Sequence, residues 1–156
     1  MDADKISHIG ICVRNMEESL KFYRDALGMK VLGEKITDIT EGGTQTGRLG
    51  NYKLERNTRH WISLGFSDNL LNPTLTLTSH PGEASDGQAI HLDQVGISHI
   101  SFSVSDPKSV AEGLLSNGYE MAGSWEDFTD NSGRVRSLYM YDPDHMLVQF
   151  QMGGGS

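Results

Sequence analysis

The stretch SHIGICV, residues 7–13, has a near copy in SHISFSV, residues 98–104. Each is a short apolar run with a histidine near its start. In the first, Ile9, Ile11 and Val13 alternate with His8, Gly10 and Cys12; in the second, Ile100, Phe102 and Val104 alternate with His99, Ser101 and Ser103. A period of two is that of a β-strand with one greasy face and one polar face.

The two copies lead into similar sequence. RNMEESLKFYRDALGM, residues 14–29, predicts a helix capped by Asn15, with Glu18 placed for a capping box and Gly28 as the left-handed stop. Met16, Leu20, Phe22, Tyr23 and Leu27 are its apolar stripe. DPKSVAEGLLSNG, residues 106–118, predicts a second helix with Asp106 as cap, Pro107 in the first turn and Gly118 at the end. Strands are expected after the first helix at MKVLGEKITDI (29–39), TRHWISLGFS (58–67) and PTLTLTSH (73–80). After the second they are expected at YEMAGSW (119–125), RVRSLYMYDPD (134–144) and HMLVQFQ (145–151). Each half therefore reads strand, helix, strand, strand, strand. The two histidines and the two helix-ending glycines lie at nearly equal offsets, a duplication rather than a short-period repeat. The expected division is a first module at 1–80, a linker at 81–94, a second module at 95–152 and a flexible tail at 153–156. Residues 41–56, EGGTQTGRLGNYKLER, read as a glycine-rich loop.

The bulk properties narrow the function. A formal net charge of −8 and a pI near 5.1 argue against nucleic acid and anionic membranes as partners, since both call for a basic face. No apolar run approaches a membrane span and no signal peptide is expected. The single cysteine, Cys12, excludes an internal disulfide and fits a reducing, cytoplasmic setting.

The strand faces opposite the helices carry His8, Gly10, Cys12, Thr74, Thr76, His99, Ser101, Ser103, Gln149 and Gln151. They are too polar for a core and too short-chained for an ordinary solvated surface. Two curved sheets with such faces would enclose a polar-lined cavity.

In HIGICVRNMEESLKFYRDALGMKVL (8–32), HISFSVSD (99–106) and YDPDHMLVQF (141–150), the chain resembles the vicinal oxygen chelate superfamily. That group includes glyoxalase I, bleomycin-resistance proteins, extradiol dioxygenases and fosfomycin-resistance enzymes. The resemblance implies an α+β fold of two βαβββ modules forming a cup-shaped domain, and a homodimer. It also implies a divalent metal, Fe, Mn, Ni or Zn, held from four equivalent places. Carried onto this chain those places are His8, Thr76, His99 and Gln149. Two imidazoles suit such a site. Gln149 stands where the family has glutamate, and Thr76 where a carboxylate or amide is usual, so the implied ligands are His8, His99 and Gln149 with Thr76 lining the substrate space. That arrangement is closer to a dioxygenase-like site than to a glyoxalase-like one.

Other residues have a functional and an ordinary reading. His145 replaces the glycine usual in the Asp-Pro-Asp turn; it is either an exposed turn residue or a proton donor and acceptor at the cavity mouth. Tyr139 is either a strand aromatic or the partner of substrate in catalysis. Trp61, Tyr141, Ser101 and His60 are candidate substrate contacts, His60 sharing its face with Ile62 and Leu64. Trp125, Phe128 and Tyr52 are candidate apolar walls. Arg48, Lys53, Arg56 and Arg59 are either anion contacts or a solvated face. His80 and His91 read as solvated linker residues. The expected function is a metal-dependent enzyme, dioxygenase-like or lyase- and isomerase-like, acting on a small oxygenated and even aromatic molecule. The competing classes are a metal-free binding or resistance protein and a metal-free enzyme using a cavity histidine as base.

Overall fold

A computed structural model describes residues 3–40, 52–67 and 72–153. The architecture is α+β, with two mixed sheets of four and three strands. The chain divides into two compact units, Met1–Asp86 and Gly87–Ser156. Among the described residues no helix is long and apolar enough to cross a membrane.

The first unit runs β1 (His8–Cys12), α1 (Met16–Leu20), a π-helical stretch Lys21–Ala26, β2 (Lys30–Asp38), β3 (Thr58–Gly65) and β4 (Thr74–Ser79). Its sheet order is β1-β4-β3-β2, with β1 and β4 parallel and the other pairs antiparallel. Asn15 caps α1 by accepting from the backbone N–H of Glu17 and Glu18. The Glu18 carboxylate, the expected other half of a capping box, accepts instead from Lys21 at 2.7 Å. The helix widens after Leu20, and Leu27 N–H reaches back five residues to Phe22 C=O. Phe22 and Tyr23, adjacent in sequence, are both fully buried and meet edge to face. Gly28 ends the helix at φ +76, a conformation costly for any side chain. Val13, Ile62, Leu64, Leu75 and Leu77 form the sheet side of this core.

The second unit runs β5 (His99–Val104), α2 (Pro107–Ser116), α3 (Trp125–Phe128), β6 (Ser137–Tyr141) and β7 (Leu147–Met152). Its order is β5-β7-β6, again with the first and last strands parallel. Asp106 caps α2, Pro107 is in its first turn, and Gly118 comes after its end at φ +85. The core gathers Ile100, Ala111, Leu114, Leu138, Met140, Val148 and Phe150.

One expected strand is replaced. YEMAGSW supplies a single bridge, Met121 to Met140, flanked by the bonds Ala122 N–H to Tyr139 C=O and Tyr141 N–H to Glu120 C=O. Gly123, at φ +150, turns the chain away. Ser124 and Asp127 then close a capping box that starts α3, and this local bonding wins over further pairing. The place beside β6 is the one that β2 fills beside β3, so the bridge is a remnant of the same topology. Residues 41–51 of the expected loop, Arg48 among them, lie outside the described residues.

Candidate functional site

The strand registers pair the four implied ligand places two by two. In the first unit His8 is opposite Thr74 and Gly10 opposite Thr76. His8 and Thr76 are thus diagonal neighbours on one face of the sheet. In the second unit His99 is opposite Leu147 and Ser101 opposite Gln149, so His99 and Gln149 stand in the same diagonal relation. The equivalence of the two pairs is therefore one of register.

The side chains around these residues repeat as well. Ser7 Oγ lies 3.0 Å from His8 Nδ1, and Ser98 Oγ lies 2.9 Å from His99 Nδ1. A hydroxyl can donate or accept; when it accepts from Nδ1–H, the lone pair of the neutral ring is on Nε2. His8 is exposed and His99 half-buried, the latter standing edge to face with Tyr139 at 5.4 Å between ring centroids. Tyr139 is directly across from Gln149. Gln149 donates from Nε2 to Ser137 Oγ at 2.8 Å, which leaves its Oε1 as the donor atom for a ligand.

The β6–β7 turn supplies the rim of this face. Asp142 is buried and accepts from the N–H of Asp144 and of Met146. His145 occupies the left-handed region at φ 61, the only described non-glycine residue with positive φ, and its ring stacks on Tyr141 at 4.9 Å. Histidine tolerates this conformation better than most residues, but still at a cost.

Trp61 is across from Thr78, on the face that carries Thr76, and its ring lies over Gly33. Ser101 is exposed beside Gln149. His60 is elsewhere: it pairs across from Ser79 on the core-side face with Ile62 and Leu64, and its Nε2 lies 2.6 Å from Glu34 Oε1. Thr76, Trp61 and His8 thus share a face in the first unit, and His99, Gln149, Tyr139, Tyr141 and Ser101 share one in the second.

A cavity of about 400 Å³ opens on the polar face of the first unit, lined in part by Cys12, Tyr52, Lys53, Arg56, Thr78 and His80. The sequence reads His80 as a solvated linker residue; it is instead 6 % exposed, and its Nδ1 is 2.8 Å from Thr58 C=O. His91 is exposed, as expected.

For a divalent metal the donor types fit: two imidazoles whose Nδ1 atoms are engaged by serine, and an amide oxygen whose amide nitrogen is engaged by serine. The set is neutral. Among the described residues, no group of three or more His, Cys, Asp or Glu side chains could hold a metal ion.

Residues 5–150 match the family model of the Glyoxalase/Bleomycin resistance protein/Dioxygenase superfamily. A lactoylglutathione lyase of Schizosaccharomyces pombe is 24 % identical over 161 residues, which cover 96 % of this chain and 47 % of the yeast protein. The chain thus spans about half the length of that curated relative. Among solved structures, a glyoxalase family protein from Bacillus cereus superposes with a TM-score of 0.74 at 16 % identity, covering 98 % of this chain and 97 % of the other. The trypanothione-dependent glyoxalase I of Leishmania major gives 0.66 at 21 % identity, covering 96 % and 87 %. These structural likenesses establish the fold.

Proposed function

Because this chain belongs to the Glyoxalase/Bleomycin resistance protein/Dioxygenase superfamily, we propose that it is an enzyme acting on a small oxygenated molecule, with His8, His99 and Gln149 holding a divalent metal ion. The observation that carries this reading is the repeated serine contact. Ser7 and Ser98 hold the two Nδ1 atoms alike, which supports Nε2 as the working nitrogen of both rings. The repeated Ser-His dipeptide carries the same local hydrogen bond on an exposed ring and a half-buried one. When bound, the ion would polarise the substrate's vicinal oxygens as a Lewis acid.

The chain's own groups do the rest. Ser137 fixes the amide of Gln149 through its nitrogen, so that the carbonyl oxygen is the end left to ligate. The Tyr139 hydroxyl donates a hydrogen bond to a substrate oxygen, with the ring held between His99 and Phe128. His145, stacked on Tyr141, exchanges a proton with solvent and substrate. Thr76, Ser101, Trp61 and Tyr141 line the substrate space. His60, on the opposite face and bonded to Glu34, is left out.

The test is metal content. Untagged protein, reconstituted anaerobically with Fe(II) or Mn(II) and desalted, should hold the metal stoichiometrically, and His8→Ala and His99→Ala should each lose it. Wild-type protein that emerges without metal while still binding a small molecule would overturn this reading. It would favour a metal-free binding protein, the class to which a donor set without a carboxylate also points. The same reading takes the protein as a homodimer, to be measured by sedimentation.

A further inference from the structure

The cavity of the first unit is separate in composition from the proposed donor set, and nothing in that reading uses it. Its floor is the end of the polar face, where Cys12 is directly across from Thr78. His80, two residues beyond Thr78, is buried and lines the cavity. A backbone carbonyl can only accept, so the bond from His80 to Thr58 C=O places the ring proton on Nδ1. In the neutral ring, Nε2 is then an acceptor. Tyr52 stands edge to face with His80 at 5.5 Å, and Leu54 adds apolar wall.

Two cations and one anion complete the lining. Lys53 is ion-paired with Asp86, while Arg56 donates to Ala84 C=O at 2.8 Å, which occupies one of its five N–H groups. The neighbouring Glu83 carboxylate is turned to Asn57, accepting from its backbone and side-chain nitrogens. Arg56 also interacts with the charges of Asp86 and Glu83, and its guanidinium has further N–H groups to offer an anion.

We propose that this cavity binds a small aromatic carboxylate bearing a hydroxyl group. The carboxylate engages Arg56 and Lys53, the ring lies against Tyr52 and Leu54, and the hydroxyl donates to His80 Nε2. A volume of about 400 Å³ falls in the range of small-molecule sites.

The one cysteine of the chain lines this cavity, so its labelling reports occupancy without interference from any other thiol. The probes are 4-hydroxybenzoate as ligand, 4-hydroxybenzamide as its neutral counterpart and benzoate as the counterpart without the hydroxyl. Two disulfide reagents read the thiol: an anionic one, 5,5′-dithiobis(2-nitrobenzoate), and a neutral one, 2,2′-dithiodipyridine. In each case the Cys12 thiolate attacks the reagent's S–S bond, a mixed disulfide forms and one aromatic thiolate leaves.

Millimolar 4-hydroxybenzoate should slow labelling by the neutral reagent, and 4-hydroxybenzamide should not. The ratio of anionic to neutral labelling rates should fall about five- to tenfold in Lys53→Gln/Arg56→Gln, as expected for removing two charges several Å from a dianion in a solvated cleft. His80→Phe should keep the charge dependence but lose the preference for 4-hydroxybenzoate over benzoate. The inference is overturned if neither compound protects Cys12, if both protect equally, or if the rate ratio survives the double substitution. Each of these readouts is independent of metal content.

Discussion

His145 should be retained at a cost to stability, and the cost can be separated from its contacts. At φ 61 any residue with a Cβ is strained by about 1–2 kcal/mol relative to right-handed backbone, and histidine by the lower part of that range. Stacking on Tyr141 at 4.9 Å returns about 0.5–1.5 kcal/mol. His145→Ala keeps the strain and loses the stack, so it should destabilise by about 1 kcal/mol. His145→Gly loses the stack but releases the strain, less about 0.5–1 kcal/mol for the greater freedom of glycine in the unfolded chain. The glycine variant should therefore lie near wild type and above the alanine variant by roughly 0.5–1 kcal/mol, or about 2–3 °C in melting temperature for a chain of this size. Urea titration at constant m gives the two free energies, and Tyr141→Ala with its double variants isolates the stack. If the alanine variant is as stable as the glycine variant, the backbone-strain argument fails. If glycine is the better residue for the fold yet abolishes turnover, the histidine is there for chemistry.

Ser7→Ala and Ser98→Ala should each weaken metal binding about 10- to 100-fold by titration calorimetry, because the ring loses its orienting partner while the donor atom remains. Gln149→Glu should tighten metal binding by at least about tenfold in the same assay, since a carboxylate brings the charge that the amide lacks; unchanged affinity would remove residue 149 from the ligand set. Gly28→Ala and Gly118→Ala should cost about 1 kcal/mol each, since both have positive φ but nothing within 4 Å of the added Cβ, whereas Gly123→Ala should cost more because its Cβ would meet the Phe128 ring at 2.9 Å. Asp130 accepts from Ser132, the Arg134 N–H and the Arg136 side chain, which hold its carboxyl well below the usual range. A depressed folded value stabilises above the unfolded value of about 3.9 and loses that stabilisation as pH falls towards the folded one. The stability gap between wild type and Asp130→Asn should accordingly be constant above about pH 5 and shrink below about pH 4 in thermal melts.

Alternation serves well where one sheet face is buried and the other polar, as in β1, β4, β5 and β7. A one-residue error would there turn histidines into the core. It fails at 119–125, where Gly123 and the Ser124-x-x-Asp127 pattern that begins there oppose a strand. His80 is illegible for a different reason. Its burial is produced by Tyr52 and the Thr58 carbonyl, residues more than twenty positions away, and Pro81 after it reads locally as a loop. The Glu34–His60 pair depends on the register of β2 against β3, which contains a bulge between Val31 and Gly33. No periodicity count over one strand fixes such a register.

The two departures from the family pattern, Thr76 and Gln149, have one consequence in common. In the proposed site, three neutral donors would leave the charge of a dication to be balanced by whatever binds beside it. A ligand whose vicinal oxygens ionise would supply that balance, and a neutral one would not. Affinity for a catechol- or hydroxy-acid-like molecule should therefore rise with pH as its oxygens lose protons. In Gln149→Glu, where the protein supplies one negative charge itself, the dependence should be shallower. Metal and small molecule would then bind with positive coupling in the native protein, each raising the affinity for the other, and the coupling should decrease when the carboxylate is restored. A neutral donor set is thus consistent with an enzyme whose metal site is completed by its substrate, and that coupling, beside metal content, distinguishes it from a cavity with no metal function.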